Sequence, residues 1–299
     1  QSFNSQVNVN GIGGEWTLQD IFTTNGTLVL NAGTFTSNNK TVNIGSFHSS
    51  SATMRTLNMG SSVFNCRGWT ASPYPLTINC GTSVINFLSG SMFGGNHTYY
   101  DVNFTSSPGG ISNNNQFHDV VFMDRANIDG SNTFHSAIFY GNGSMLTNNT
   151  FDELTFTGGH NYVIRYIYIN DAFHANGNCG AYLDISSQTP GIQAIIIKTS
   201  GIVNTSYLIL KDIVASGGAT FNATNTTDLG NNTGWNINAA IGQDLYWIGN
   251  GGNWSDGNHW SHMSGGAPSG CSPTPLDNIF FDANSFSVTG QTVSMDPVT

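Results

Sequence analysis

Three eight-residue phrases in this chain are near copies of one another: NQFHDVVF from Asn115, NTFHSAIF from Asn132 and NTFDELTF from Asn149, each beginning 17 residues after the last. A fixed short period constrains a fold more than any other sequence feature. A unit that small cannot bury its own apolar face and must stack on its neighbours. Aligned, the phrases place Phe117, Phe134 and Phe151 in one column and Phe122, Phe139 and Phe156 in a second. The stretch HTYYDVNF, 18 residues upstream, adds Tyr99 to the first column and Phe104 to the second. Within each phrase Val102 and Phe104, Val120 and Phe122, Ala137 and Phe139, and Leu154 and Phe156 alternate as one face of a short strand. The period leaves no room for a crossover helix, which needs a dozen or more residues of its own.

A second set of phrases lies upstream. NMGSSVFNCRGW from Asn58 and NCGTSVINFLSG from Asn79 align along their whole length, 21 residues apart, and NAGT at Asn31 and NIGS at Asn43 echo the same turn. In this register Leu57 and Met59 lie under Ile78 and Cys80, while Phe64 and Cys66 lie under Ile85 and Phe87, all apolar and all facing one way. Less regular echoes follow in YIYIN at Tyr166, YLDIS at Tyr182, IIIKTS at Ile195 and YLILKDI at Tyr207. The expected fold is therefore all-β: a parallel β-helix (solenoid) with short coils of about 17–21 residues over 1–240. At a strand spacing of about 4.8 Å, roughly 13 coils make a rod on the order of 60 Å long. A β-sandwich would not generate so constant a repeat.

Such a stack also accounts for the composition. Only 8% of residues are charged, against roughly 25% in an average soluble protein. In-register coils place each side chain above its equivalent, where like charges repel but amides hydrogen-bond and rings stack. Asn115, Asn132 and Asn149 are the expected asparagine ladder, and glycines supply positive-φ corners. With 38% hydrophobic residues the chain has enough to bury and is not of disordered type. Seven Lys and Arg against 17 Asp and Glu, a net charge of −10, argue against a nucleic-acid partner. No apolar run reaches the roughly 18–20 residues of a membrane span, and AIIIK near Ile195 is the densest. No secretory leader is legible, as expected of a mature product or an excerpt.

Residues 241–299 read differently. YWIGNGGNWSDGNHWS spaces Trp247, Trp254 and Trp260 six or seven residues apart among Gly and Asn turns. A Gly- and Pro-rich loop through Cys271 leads into LDNIFFDANSFSVTGQTVSMD, so a Trp/Gly-rich β segment, a module start or cap, is expected. This stretch resembles an opening module of large secreted surface proteins of Bacteroidota-type bacteria, which carry type IX secretion-like features. There a phrase like GNWSDGNHWS precedes a strand like DNIFFDANSF; GGEWTLQDIF, GTLVLNAGTF, TVNIGSF and DLGNNTGWNI are similar to that family too. The resemblance implies a long repetitive protein at the cell surface, associated with adhesion or gliding motility. Its partners would be neighbouring repeats of the same protein, its own copies, or surface glycans. If the Trp phrase opens a module, the chain starts inside one module and ends in the next, and an excerpt of a longer fibre or adhesin is expected.

Candidate chemistry is sparse. Asp101, Asp119 and Glu153 share a column interrupted by Ser136, with Arg125 near Asp119 and Asp124. β-helical polysaccharide lyases and hydrolases use such acids, but a glycosidase needs two carboxylates held across a cleft; a solvated strand edge is the simpler reading, and no catalysis is expected. His118 and His135 stack in adjacent coils with Asp152 next in line, yet Tyr100 breaks the column and zinc needs three or four converging ligands. Asp282, Asn284 and Asp129 have oxygens suited to Ca²⁺ without the spacing of a Ca²⁺ loop, and no cofactor is expected. Trp247, Trp254 and Trp260 are either glycan-stacking faces or packing residues, packing over the last coil being favoured. Cys66 and Cys80 read as core residues too far apart along the strand to bridge, whereas Cys179 and Cys271 sit in loops and can pair. Asn-X-Ser/Thr sites occur at Asn25, Asn148 and Asn204 and carry little weight in Asn/Thr-rich sequence.

Overall fold

The structure is a computed structural model and describes residues 2–295 apart from Asn4 and Ser107. Strands make up 58% of the chain and stack in parallel as a β-solenoid of about 12 turns. No α-helix occurs among the described residues; one 3₁₀ turn spans Gly257–His259.

The repeat phrases set the register residue over residue. Gln116–Phe122 pairs with Thr133–Phe139, aligning Phe117 with Phe134, Val120 with Ala137 and Phe122 with Phe139. Thr133–Phe139 pairs in the same way with Gly143–Thr157, continuing the columns to Phe151, Leu154 and Phe156. Phe87, Phe104, Phe122 and Phe139 stack face to face with ring centroids 4.6, 4.9 and 4.7 Å apart. Tyr99, Phe117, Phe134 and Phe151 form the second pillar at 5.7, 5.2 and 4.8 Å. All eight are buried, and each ring pair adds about 0.5–1.5 kcal/mol beyond its area. Phe156 keeps its place but turns its ring to 78° from Phe139, because Tyr162 lies face-on against it at 3.9 Å. Glycine makes room for these rings: a Cβ on Gly109 would stand 2.7 Å from the ring of Phe104.

Buried polar residues close the corners. The amide of Asn115 donates to Oδ1 of Asn132 at 3.1 Å and that of Asn132 to Oδ1 of Asn149 at 3.2 Å. The same oxygens also accept the backbone N–H of the preceding rung, at 3.0 Å in each case. The ladder ends at Asn149 because Ile167 stands over it in the next coil. Gly60 and Gly81, both at φ +57°, stack at another corner, where a Cβ on Gly81 would lie 2.3 Å from the Gly60 carbonyl oxygen. Buried Arg55 donates to the carbonyls of Ser49 and Thr53, at 3.1 and 3.0 Å, and buried Lys198 to that of Asn170 at 3.3 Å. Arg55 thus ties the loop at Thr53 to the rod, whereas Lys198 joins its own strand to the strand Asn161–Asn176.

Three details differ from the sequence reading. Of the eight apolar residues aligned over 57–87, six are buried, whereas Ile78 and Cys80 are half-buried against the core edge. The strand Leu76–Asn79 is paired on one side only among the described strands. Coil length also exceeds the expected range: Asn176 pairs with Ser206, 30 residues on. Loops around Cys179 and Gly191 are inserted there, and fewer turns result.

The third concerns 241–295, which folds apart from the solenoid interior. Asp244–Trp247 pairs antiparallel with Trp260–Ser261 and parallel with Asn278–Phe280. Leu245, Trp247 and Trp260 form a separate buried cluster, joined by Trp254, Ile279, Phe286 and Val293. The Trp residues do not cover the last coil; Trp235 and Ile237 pack against the solenoid core there instead. A Cys179–Cys271 disulfide joins the inserted loop of the rod to this small unit across 92 residues.

Candidate functional site

The chemistry-bearing residues collect at one corner of the central coils. Between inward-facing Phe117 and Val120, the two residues His118 and Asp119 both point outward, and the pairing with the next coil skips His118. The strand turns a corner there, so consecutive side chains share the outer surface. The repeat carries this corner from coil to coil.

Tyr100, His118 and His135 consequently stack as a ring column on the outside, at centroid distances of 4.2 and 4.8 Å and interplanar angles of 5° and 6°. Carboxylates run beside the rings. His118 Nδ1 lies 3.0 Å from Asp101 and 3.5 Å from Asp119, and His135 Nδ1 lies 3.1 Å from Asp119. Asp119, Ser136 and Glu153 fall in register as expected. Asp152 accepts a 2.8 Å bond from Asn170, the next rung. The column and the acidic row, separate in the sequence reading, form one alternating network in which imidazoles divide carboxylates that would otherwise repel. Asp119 holds the His135 imidazole above the usual histidine range through this hydrogen bond.

His118, Asp119 and His135 bring potential ligand atoms within 4.8 Å of one another. Parallel imidazoles direct their in-plane lone pairs alongside each other, however, and not at a common point. A tetrahedral metal would require one ring to leave the stack. What the corner does as built is bind protons and hydrogen-bond carboxylates. Arg125 makes no ion pair among the described residues, and its backbone N–H donates to Asp124 at 2.7 Å.

The other candidates are engaged in local structure. Trp247 and Trp260 are fully buried, so the alternative that they offer faces to a glycan is corrected; Trp254 is half-buried and its carbonyl accepts the indole N–H of Trp260 at 2.8 Å. Asp282 accepts from the backbone of Asn284 at 2.8 Å and Asp129 from that of Gly130 at 2.9 Å, both as turn caps. Burial pushes the Cys66 thiol up to about 12, leaving it an inert core residue.

Several outward columns complete themselves. Asn43, Asn65, Asn86 and Asn103 pass amide bonds of 2.8, 2.9 and 3.0 Å from coil to coil, and Asn204, Asn222 and Asn236 do so at 2.8 and 3.0 Å. These outer ladders were not read from the sequence, although Asn65, Asn86 and Asn103 stand at one place in SVFNC, SVINF and YDVNF. No protein-family model, curated protein or solved structure matches the chain.

Proposed function

We propose that the chain is a structural and adhesive module of an extracellular repetitive surface protein, of the kind the Trp- and Asn-rich phrases resemble, and that it performs no catalysis. The observation carrying this reading is the coil-to-coil closure of its polar columns. Amides inside and outside the rod hydrogen-bond to their own equivalents, a construction that favours stiffness and leaves few groups for chemistry. The Cys179–Cys271 disulfide agrees with an oxidising location. Strand Trp235–Ala239 at the last turn suits a neighbouring repeat or second copy as partner, since among the described strands it pairs only with Thr220–Asp228.

Antibody labelling of intact, unpermeabilised cells of the source organism, with attachment of a deletion strain measured in parallel, tests this proposal. Surface label and weakened attachment are expected. Label seen only after permeabilisation, or undiminished attachment, contradicts it.

A further inference from the structure

One face of the N-terminal coils departs from the self-completing pattern. An open groove of about 570 Å³ runs along it across five successive coils, a length of roughly 19 Å at the strand spacing. The register explains the hollow. Thr27, Ser46, Gly68 and Ser91 occupy one outward column, each over the next, and Gly68 contributes no side chain at all. The neighbouring column carries His48, Thr70 and Phe93. Small residues thus form the floor, and taller ones stand beside it.

Two further observations bear on a ligand. The side chains of Thr27, Asn31, Ser46, Thr70 and Ser91 have no hydrogen-bond partner in the protein among the described residues, in contrast to the amide ladders on other faces. Phe93 is 53% exposed at the groove's edge and stacks on no other ring among the described residues. An unpaired large aromatic beside a row of uncharged donors and acceptors offers a flat apolar face together with hydrogen bonds.

We infer that this groove binds a neutral, hydroxyl-rich polysaccharide lying along the rod axis. Among the described residues the lining contains no Lys, Arg, Asp or Glu, and His48 is its one titratable side chain. An acidic polymer would meet no cation there, and a basic one no carboxylate. A peptide adding itself as a strand needs a free sheet edge, whereas the strands carrying Thr27, Ser46 and Ser91 already pair with the coils on both sides. Asn8 alone of the lining lies in a strand paired on one side among the described strands. A sugar chain fits the remaining chemistry: its hydroxyls meet the free Ser, Thr and Asn groups, and its C–H faces meet the Phe93 ring.

This inference rests on the adhesive half of the proposed function. The test is affinity electrophoresis of the full chain through gels containing hydroxyethylcellulose, laminarin, galactomannan or, as the acidic comparison, alginate. Retardation by at least one neutral polymer and none by alginate is expected. Phe93→Ala should weaken it at least about tenfold, and Gly68→Gln should abolish it by filling the floor. Gly68 has no positive φ, and its Cβ would meet only the Ser46 side chain, at 3.2 Å, so the variant can fold; circular dichroism verifies this for both. Trp254→Ala, in the separate cluster of 241–295, should leave the retardation unchanged. No retardation by the folded chain in any neutral gel, or retardation by alginate alone, overturns the inference. So does retardation that both groove variants retain, an outcome that places binding elsewhere and leaves the adhesive reading standing. Surface labelling and cell attachment test that reading independently.

Discussion

At the scale of single residues, the interior amides do more for this fold than their polarity implies. Asn132 Oδ1 accepts both the backbone N–H and the side-chain amide of Asn115, while its own amide donates to Asn149 and to the carbonyls of Asp129 and Gly130. Asn132→Ala leaves several of these groups buried without partners, each costing about 1–3 kcal/mol. We expect a loss of about 2–4 kcal/mol, read as a lower denaturant midpoint. Asn103→Ala, in the half-buried outer ladder, should cost less than about 1 kcal/mol because water replaces the bond. Equal losses at the two positions would contradict the distinction between inner and outer ladders. In the aromatic pillar, Phe122→Ala should cost about 3–5 kcal/mol, since Phe104 and Phe139 stack on its two faces.

Elements carry the protonation and redox behaviour. Asp119 raises the proton affinity of His135. A histidine whose folded value is raised contributes stability that is fully present below its unfolded value, about 6.5, and is lost as pH rises through the folded value. The NMR titration midpoint of His135 should therefore lie above about 6.5 and fall in Asp119→Asn; an unchanged midpoint would refute the coupling. Asp212 behaves oppositely. The Gly191 N–H, at 2.9 Å, and the Asn231 amide, at 2.7 Å, hold its carboxyl below the usual range. Its contribution is present above about 3.9 and disappears on acidification through the lower folded value. The disulfide acts between elements. A crosslink over 92 residues is worth about 4–5 kcal/mol in the chain-entropy account. Cys179→Ser should open new thermolysin sites within 241–295 while the rod stays resistant. Cuts spread along the solenoid would indicate that the bridge supports the whole molecule.

Over the whole molecule, what the sequence disclosed was what repeats. Phe117, Phe122 and Asn115 recur at one spacing, so their columns and the solenoid could be read without coordinates. The His–Asp corner was only half legible, because pairing it requires two consecutive outward residues, which strict strand alternation does not anticipate. The groove was not legible at all. Phe93 belongs to no motif. Gly68 lies in the phrase from Asn58, but the 21-residue register of that phrase sets it against Ser89, whereas the structure sets it beside Ser91. The hollow thus arises from small residues meeting across coils of unequal length. The Trp cluster misled for a related reason: composition identified burial but not which core the rings join.

The central claim is that successive coils lie in register along one axis, and spin-label distances test it directly. Asn43, Asn65, Asn86, Asn103, Val121, Ile138 and Thr155 occupy one outward column. With Cys80 replaced by Ser, and Cys66 protected by burial, nitroxides are placed at 86 and 155 or at 43 and 155. Double electron–electron resonance should then give separations near 19 Å and 29 Å, growing by about 4.8 Å for every coil. Separations that do not increase with the number of intervening coils would contradict the stack and, with it, the rod on which the functional proposals rest.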